Sequence, residues 1–321
     1  MRTFFFFALG YAAVAALVAV ATGGPQSLAL TSGASMISGY LTSYLPLALG
    51  AVCLSMIASR FTGMDARAAA IRVGWATAGS VLFFPAFSII KRSLPELVPF
   101  WADPSFAALD RALHGSVDPW VWTHMVQLPG DWVQWVYLHG WSIPAFLFPL
   151  AAAVDPDRAR AGRAMIVFVA AWVLLGNVVA GLFMSAGPVY HDRLLGVDDF
   201  AALTAAIAAD VRLAAGVGTT QETLWELYAT GTHALGSGIS AFPSVHVATV
   251  TAVALYLVDL RRALLPVAVA LVAVFQVLSV YTGWHYAVDG YASIAVLLTL
   301  WLVLRRREAR EMVAPDAVPA E

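Results

Sequence analysis

The sequence is poor in charge, in cysteine and in lysine. Only 12% of its 321 residues are charged and 60% are hydrophobic, whereas a soluble domain carries about 25% charged residues. This composition excludes an ordinary soluble domain and predicts a membrane protein. Cys53 is the single cysteine, which excludes an intrachain disulfide and C-x-x-C chemistry. The net charge of −2 favours neither a nucleic-acid partner nor a polybasic membrane anchor.

Eight apolar runs approach the length of about 20 residues that a bilayer-spanning helix needs. They lie at Thr3–Ala21, Tyr40–Ala58, Ile71–Ile90, Trp132–Val154, Ala164–Ser185, Ser244–Val258, Leu264–Tyr281 and Tyr286–Leu304. The alternative for the first run is a signal peptide, but the apolar region of such a peptide has only about 7–15 residues. We therefore expect a retained helix there and an all-α polytopic membrane protein overall, without internal repeats.

The cations divide unevenly between the two sides of this predicted bundle. Thirteen lie on the side of both termini, at Arg2, Arg60, Arg67, Arg72, Arg158, Arg160, Arg163, Arg261, Arg262, Arg305, Arg306, Arg307 and Arg310. Five lie on the other side, over much longer loops, at Lys91, Arg92, Arg111, Arg193 and Arg212. By the positive-inside rule both termini are cytoplasmic. The richness in Ala, Val and Arg suggests a bacterial inner membrane.

Two long polar stretches, about residues 91–131 and 186–243, fall on the outer side. Each contains a segment with apolar residues at helical spacing, "DPSFAALDRALHGSVDPWVW" and "DDFAALTAAIAADVRLAAGVG". We expect short amphipathic helices there, lying along the outer membrane interface.

A serine and a histidine stand at the start of the sixth run, in "SAFPSVHVAT". With Pro243 at the first helical position, Ser244 and His246 would lie in the first turn beside free backbone N–H groups. A helix N-terminus of this kind binds anions. The alternative is a helix cap with a water-facing histidine.

His285 and Asp289 form a second polar pair, in "SVYTGWHYAVDGYA". Residues four apart share one face of a helix, and a carboxylate beside a histidine orients the ring, as in nucleophile–base arrangements. The alternative is a buried ion pair that ties two helices together. Counting spans places His246 and His285 at the same outer surface.

"FPSVH" and "GWHYAVD" resemble the second and third signature motifs of the type 2 phosphatidic acid phosphatase superfamily, which also contains the vanadium haloperoxidases. Pro243, Ser244 and His246 match the second motif, with Val245 in the usual place of glycine. His285 and Asp289 match the third at its usual spacing.

The chain also departs from the usual motifs of that superfamily. Ser279 stands where the third motif has arginine, Leu278 where it has serine, and the first motif is absent as usually written. "SAGPVYHDRLLG", from Ser185 to Gly196, resembles the substitute found in the branch of the fungal aureobasidin-resistance proteins, which are inositol phosphorylceramide synthases. The resemblance covers roughly Pro99–Leu304.

This resemblance implies a domain organisation. Residues 63–310 would form a six-helix catalytic membrane core, and residues 1–62 would add two N-terminal transmembrane helices. Residues 311–321 would be a disordered cytoplasmic tail.

The resemblance also implies a mechanism for a lipid phosphotransferase or phosphatase. His285 would attack phosphorus to give a phosphohistidine, Asp289 would orient it, and His246 would protonate the leaving oxygen and later activate the acceptor. Ser244 and backbone N–H groups would bind phosphoryl oxygens. Neither a metal nor another cofactor would be needed, and no feature indicates an obligate protein partner.

The missing arginine leaves a gap in positive charge. Arg193, after the fifth run, is the first candidate to fill it and Lys91 the second. The alternative for each is a plain interfacial cation. Tyr190 and His191 are further pocket candidates.

The acceptor would decide the reaction. Water gives a lipid phosphatase, whereas an alcohol such as a ceramide or a glycan hydroxyl gives a phosphotransferase, and the branch resemblance favours transfer. A transporter would place ionisable residues near the middle of the bilayer and in repeated halves. A haem protein with His246 and His285 as ligands leaves Ser244 and Asp289 unexplained.

Overall fold

The computed structural model describes residues 1–23, 65–232 and 236–313, together with Gly50 and Ile57. Within these ranges the chain forms helices and loops and no β-strand. The predicted span Tyr40–Ala58 lies outside the described residues apart from Gly50 and Ile57, and the tail after residue 313 lies outside them entirely.

The described ranges contain twelve helical segments. They are α1 (Arg2–Gly23), α2 (Ala66–Leu97), α3 (Asp103–Leu113), α4 (Pro119–Thr123), α5 (Gly130–Ala153), α6 (Arg158–Leu182), α7 (Pro188–Leu195), α8 (Ala201–Ala209), α9 (Val211–Ala229), α10 (Val245–Leu260), α11 (Leu265–Tyr281) and α12 (Ala287–Val313). Of these, α1, α2, α5, α6, α11 and α12 are long and apolar enough to cross a membrane. The prediction of an all-helical polytopic membrane protein is confirmed.

The central helix is α10, which at 16 residues is shorter than the six long apolar helices. It packs against α5, α6, α11 and α12, and its small side chains, such as Ala248, Ala252 and Ala254, are buried. Small residues let neighbouring helices approach closely in a membrane bundle. The first residues of α10 are thereby held in the middle of one end of the bundle.

Helix α2 is longer than the sequence indicated. We expected the span to end at Ile90, but the helix continues to Leu97 with Pro85 and Pro95 inside it. Lys91 therefore lies on a helix rather than in a loop. At the other end of α2, the Asp65 carboxylate accepts a hydrogen bond from the Ala68 N–H at 2.9 Å, which is an N-cap.

Helix α1 packs along α2. The rings of Phe4 and Tyr11 each lie 5.5 Å from the ring of Phe83. The Tyr11 hydroxyl donates a hydrogen bond to the Asn177 side chain in α6. Helix α1 is thus joined to the bundle by aromatic packing and by a buried polar contact.

One end of the bundle is held by ion pairs, and we call it the arginine end. Arg163 in α6 donates to Asp259 at the end of α10 at 2.8 Å, and it also pairs with Glu308 in α12. Arg160 donates to Asp155 at 2.6 Å. These pairs connect the ends of three helices and the loop between α5 and α6.

Candidate functional site

Ser244 caps the start of α10. The helix begins at Val245, and the Ser244 hydroxyl accepts a hydrogen bond from the Val247 N–H at 3.3 Å. Pro243 therefore precedes the cap instead of occupying the first helical position, because Ser244 has the extended backbone of an N-cap residue. Ser244 is completely buried and is not among the residues that line the cavity described below. Ser244 is therefore a helix cap, which is the alternative to direct phosphate binding.

His246 follows one residue inside α10 and is held by two aromatic rings from α5. The Tyr137 ring stacks on it at 4.7 Å between centroids, and the Trp141 ring lies at 4.4 Å. A π-helical turn at Trp135–Gly140 leads into this part of α5. Sequence reasoning missed both rings, since nothing local relates them to a histidine more than 100 residues later.

His285 lies in the short connection between α11 and α12, next to Asp289. Its Nδ1 is 3.1 Å from Oδ2 of Asp289, which also accepts a hydrogen bond from the Tyr286 N–H at 3.1 Å. Asp289 is completely buried and His285 is 6% exposed. The ring centroids of His246 and His285 are 6.0 Å apart. The structure therefore brings the two motif histidines together.

The protonation of His285 follows from its surroundings. Burial lowers the pKa of His285 well below its usual value, electrostatic interaction with His246 and Lys91 lowers it further, and a hydrogen bond with the Ala241 backbone opposes this shift. The ring is therefore neutral near pH 7. With Nδ1 directed to Asp289, Nε2 is the ring nitrogen that does not contact that carboxylate.

Lys91 lies beside the two histidines. Its ammonium donates a hydrogen bond to the Ser240 carbonyl at 3.0 Å. The loop before α10 comes very close to it, because a Cβ on Gly238 would lie 2.7 Å from the Lys91 carbonyl carbon. None of the ion pairs formed within the described ranges involves Lys91.

These side chains open onto one cavity of about 330 Å³. Helices α2, α5, α6, α7, α9 and α10 line it, together with the loops before α10 and α12. The lining residues are mainly apolar and aromatic, and they include Phe84, Phe87, Lys91, Tyr137, Trp141, Phe146, Trp172, Tyr190, Ser240, His246, Trp284 and His285. No acidic residue belongs to this described lining.

The cavity wall also carries hydrogen-bond donors that no described residue uses. They are the indole N–H groups of Trp141, Trp172 and Trp284 and the hydroxyl of Ser240. Each of these donor atoms is itself buried, and a buried donor without an acceptor costs about 1–3 kcal/mol.

The segment Ser185 to Gly187 connects the two histidine-bearing loops. The Ser185 carbonyl accepts a hydrogen bond from the Ala241 N–H at 2.7 Å, and its hydroxyl accepts one from the Phe242 N–H at 3.1 Å. Gly187 has φ +97°, and a Cβ there would lie 2.4 Å from the Trp284 carbonyl oxygen. Only glycine fits this position next to the loop of His285.

The other predicted site residues of α7 have different surroundings. Arg193 forms an ion pair with Glu222, with Nη1 2.9 Å from Oε2, and is not part of the cavity lining. Tyr190 lines the cavity with its ring, while its hydroxyl donates to the Gln221 carbonyl at 2.9 Å. His191 is buried, with Nδ1 2.8 Å from the Tyr286 hydroxyl oxygen. Of the two candidate cations, only Lys91 borders the cavity.

Comparison with known proteins gives one assignment. No curated protein and no solved structure matches the sequence significantly. The family model of the PAP2 superfamily, the type 2 phosphatidic acid phosphatase group, matches residues 104–303. Both histidine motifs and the cavity loops lie within this range. Since the match covers well over half of the 321 residues, the chain belongs to the PAP2 superfamily, and phosphatase-type activity follows from that membership.

Proposed function

We propose that the protein transfers a phosphoryl-containing head group from a membrane lipid through a phosphohistidine on His285. One observation carries the proposal. A histidine held by a carboxylate faces a second histidine at a cavity that Lys91 borders and whose described lining has no acidic side chain. The positive charge of Lys91 attracts a phosphoryl group, and no carboxylate of the described lining repels it.

The two histidines are close enough to act on one phosphoryl group, since their ring centroids are 6.0 Å apart. Reacting atoms lie about 3–3.5 Å apart before a displacement. In the first step the Nε2 lone pair of His285 bonds to phosphorus, the ester P–O bond breaks, and the leaving oxygen takes a proton from His246. In the second step the acceptor hydroxyl gives a proton to His246 and attacks phosphorus, and the N–P bond breaks.

Lys91 is our choice for the cation that stabilises the phosphoryl oxygens. Its ammonium borders the cavity and has no described carboxylate partner. The position of Arg193 does not support this role, because Arg193 forms an ion pair with Glu222. Ser244 would act by fixing the start of α10 rather than by touching the phosphoryl group.

The walls of the cavity support a lipid as the substrate. Phe84 and Phe87 of α2, Phe146 of α5 and Trp172 of α6 continue the cavity into the apolar part of the bundle. A ligand that fills both parts has a polar phosphate end and an apolar end.

Transfer to an alcohol acceptor, as in the aureobasidin-resistance branch, is the preferred reaction. The segment from Ser185 to Gly187, which carries the resemblance to that branch, bonds to the loop before α10 and packs under Trp284. It thus has the position required of a substitute for the first motif. Hydrolysis, with water as acceptor, is the alternative.

The purified protein distinguishes these reactions when it is incubated with a panel of lipid phosphates and phospholipids, with and without alcohol acceptors. Products are identified by mass. A new phosphodiester that requires the alcohol supports transfer, whereas free phosphate or a free head group in both conditions supports hydrolysis.

His285→Ala tests the covalent mechanism in the same assay. Loss of the nucleophile should lower kcat by several orders of magnitude, and an acid-labile phosphoenzyme seen in wild type should disappear. His139→Ala is the matched control, because His139 is exposed on α5 and should retain full activity. A His285→Ala variant with more than about a tenth of wild-type activity would contradict the covalent mechanism.

We also propose that the site faces outward, with both termini in the cytoplasm, as the division of the cations indicates. Reporter fusions at the C-terminus and between Val197 and Thr220 test the orientation. A cytoplasmic signal from the second fusion would reverse it.

A further inference from the structure

Helix α3 directs two acidic side chains into the protein. Asp103 and Asp110 are seven residues apart, two turns of helix, and therefore lie on one face. Each is only 2% exposed. A buried carboxylate is costly unless its oxygens are hydrogen-bonded, so their partners show what the helix holds.

Asp110 binds the first turn of α12. Its two oxygens accept hydrogen bonds from the Ala287 N–H at 2.7 Å and the Val288 N–H at 2.9 Å. The first N–H groups of a helix have no partner within the helix itself. Asp110 therefore caps α12 from a different helix, immediately after His285.

Asp103 binds two other segments of the site. Its oxygens accept hydrogen bonds from the Ala186 and Gly187 N–H groups, both at 2.9 Å, and from the Tyr286 hydroxyl at 3.1 Å. Asp103 thus connects the Ser185–Gly187 segment to the residue that follows His285.

Tyr286, Ala287 and Val288 are the three residues between His285 and Asp289, and all three are bound by α3. We infer that Asp110 and Asp103 are positioning residues that fix the His285–Asp289 pair for attack on phosphorus. Neither lines the cavity, and their described hydrogen bonds go to backbone N–H groups and to the Tyr286 hydroxyl rather than to His285 or Asp289. Their negative charges nevertheless act on Asp289. The inference rests on the proposed function, since it assigns these acids to that reaction.

The expected size of the effect follows from the tolerance of displacement reactions. A shift of about 1 Å in a reacting group costs on the order of 100-fold in rate. Asp110→Asn keeps the size of the side chain but replaces one acceptor oxygen by an NH₂ group, which cannot accept from a backbone N–H. The first turn of α12 then loses one of its two bonds, and Nε2 of His285 is no longer fixed.

The experiment compares Asp110→Asn with Asp118→Asn, using dioleoyl phosphatidic acid in detergent micelles and orthovanadate as a five-coordinate phosphate mimic. Asp118 is the matched control, because it lies eight residues further on and pairs with Arg111 at the surface. We expect Asp110→Asn to lower kcat about 100-fold with little change in KM, and to raise the inhibition constant of orthovanadate by a similar factor. Asp118→Asn should resemble wild type in all three.

A purely structural role would give a different pattern. Partial unfolding lowers kcat in proportion to the folded fraction but leaves KM and the orthovanadate constant unchanged, and that result for Asp110→Asn would overturn the inference. Tyr286→Phe removes the hydroxyl that donates to Asp103 and contacts Nδ1 of His191, and it covers the case in which Asp110→Asn does not fold. It should raise the orthovanadate constant about tenfold, the factor that corresponds to one hydrogen bond of about 1.4 kcal/mol, and a wild-type constant would count against the inference.

Failure of the proposed function has its own signature. In that case the wild-type protein and Asp118→Asn would release no phosphate from the lipid, or His285→Ala would remain active. If only the inference about Asp110 and Asp103 is wrong, the wild-type protein still releases phosphate and His285→Ala does not.

Discussion

The two ends of the bundle differ in what surrounds a buried cation. At the arginine end Arg163, only 8% exposed, is paired with Asp259 and Glu308. At the site end Lys91 borders a cavity with no acidic residue in its described lining. A paired charge joins helices, and removing one partner leaves the other buried and unpaired. A cation without a carboxylate partner at a cavity is instead available to an anionic ligand.

The acids of the site end explain how Lys91 stays unpaired. Asp103 and Asp110 accept hydrogen bonds from backbone N–H groups, and Oδ2 of Asp289 is bound by His285 and the Tyr286 N–H. Oδ1 of Asp289 has no hydrogen-bond partner among the described residues. The structure thus uses carboxylates at this end to hold loops rather than to neutralise the cation. Arg163 at one end joins helices, and we propose that Lys91 at the other end acts in the reaction.

The largest effect is expected when the cation of the site end is removed. Lys91→Ala should lower kcat about 100- to 1,000-fold, because a fixed charge that stabilises the transition state is lost. The melting temperature should change little, since Lys91 makes one hydrogen bond, to Ser240. Kinetics and thermal unfolding in detergent measure both.

The matched controls for Lys91 are Lys91→Arg and Arg193→Ala. The first keeps the positive charge and should retain partial activity, and the second removes a cation already paired with Glu222 and should retain nearly all. The opposite result, with Arg193→Ala impaired and Lys91→Ala active, would show that Arg193 rather than Lys91 supplies the positive charge of the site.

The next largest effect is expected at the arginine end, where a substitution should lower stability and leave activity unchanged. Arg163→Ala should destabilise the protein by about 3 kcal/mol, because Asp259 stays buried without its closest partner. Activity per folded molecule should be unchanged. Arg212→Ala is the control, since its pair with Asp131 is exposed and worth at most about 1 kcal/mol. Equal melting temperatures for the two variants would contradict the structural role of this end.

A smaller effect is expected from the close approach at Gly187. Gly187→Ala should cost about 1–3 kcal/mol in stability, because its backbone conformation is nearly restricted to glycine and the new Cβ meets the Trp284 carbonyl. Activity should also fall, since Trp284 precedes His285. Gly196→Ala is the control, because Gly196 also has a positive φ but open space around it. Equal unfolding temperatures and equal activities would show that the contact with Trp284 is unimportant.

The smallest expected effect is that of a chelator. Within the described ranges no group of three or more His, Cys, Asp or Glu side chains is arranged to hold a metal ion, and the proposed mechanism assigns the positive charge to Lys91. Activity should therefore be unchanged by EDTA. Loss of activity with EDTA that zinc or magnesium restores would require a metal-assisted mechanism instead.

The sequence by itself determined the membrane class, most of the spans and the two histidine motifs. These are local properties, because an apolar run of about 20 residues is long enough to span a bilayer and a His and an Asp four residues apart are close along the chain. The expectation of a shared helical face was wrong in detail, since His285 lies in the connection before α12 and only Asp289 is on the helix. Counting the spans predicted that His246 and His285 lie at the same end, and their rings are 6.0 Å apart. The superfamily resemblance rested on the same short motifs and is confirmed.

Only the tertiary structure decided which distant residues surround the motifs. The sequence ranked Arg193 above Lys91, yet the continuation of α2 to Leu97 brings Lys91 to the cavity, and Glu222 holds Arg193 away from it. The same segment that the sequence predicted as an amphipathic helix turns Asp110 inward to cap α12. The contacts of Lys91 and Asp110 join residues more than 100 positions apart, and that of Arg193 with Glu222 joins two different helices. They depend on how the helices pack, and no spacing within a single segment encodes that.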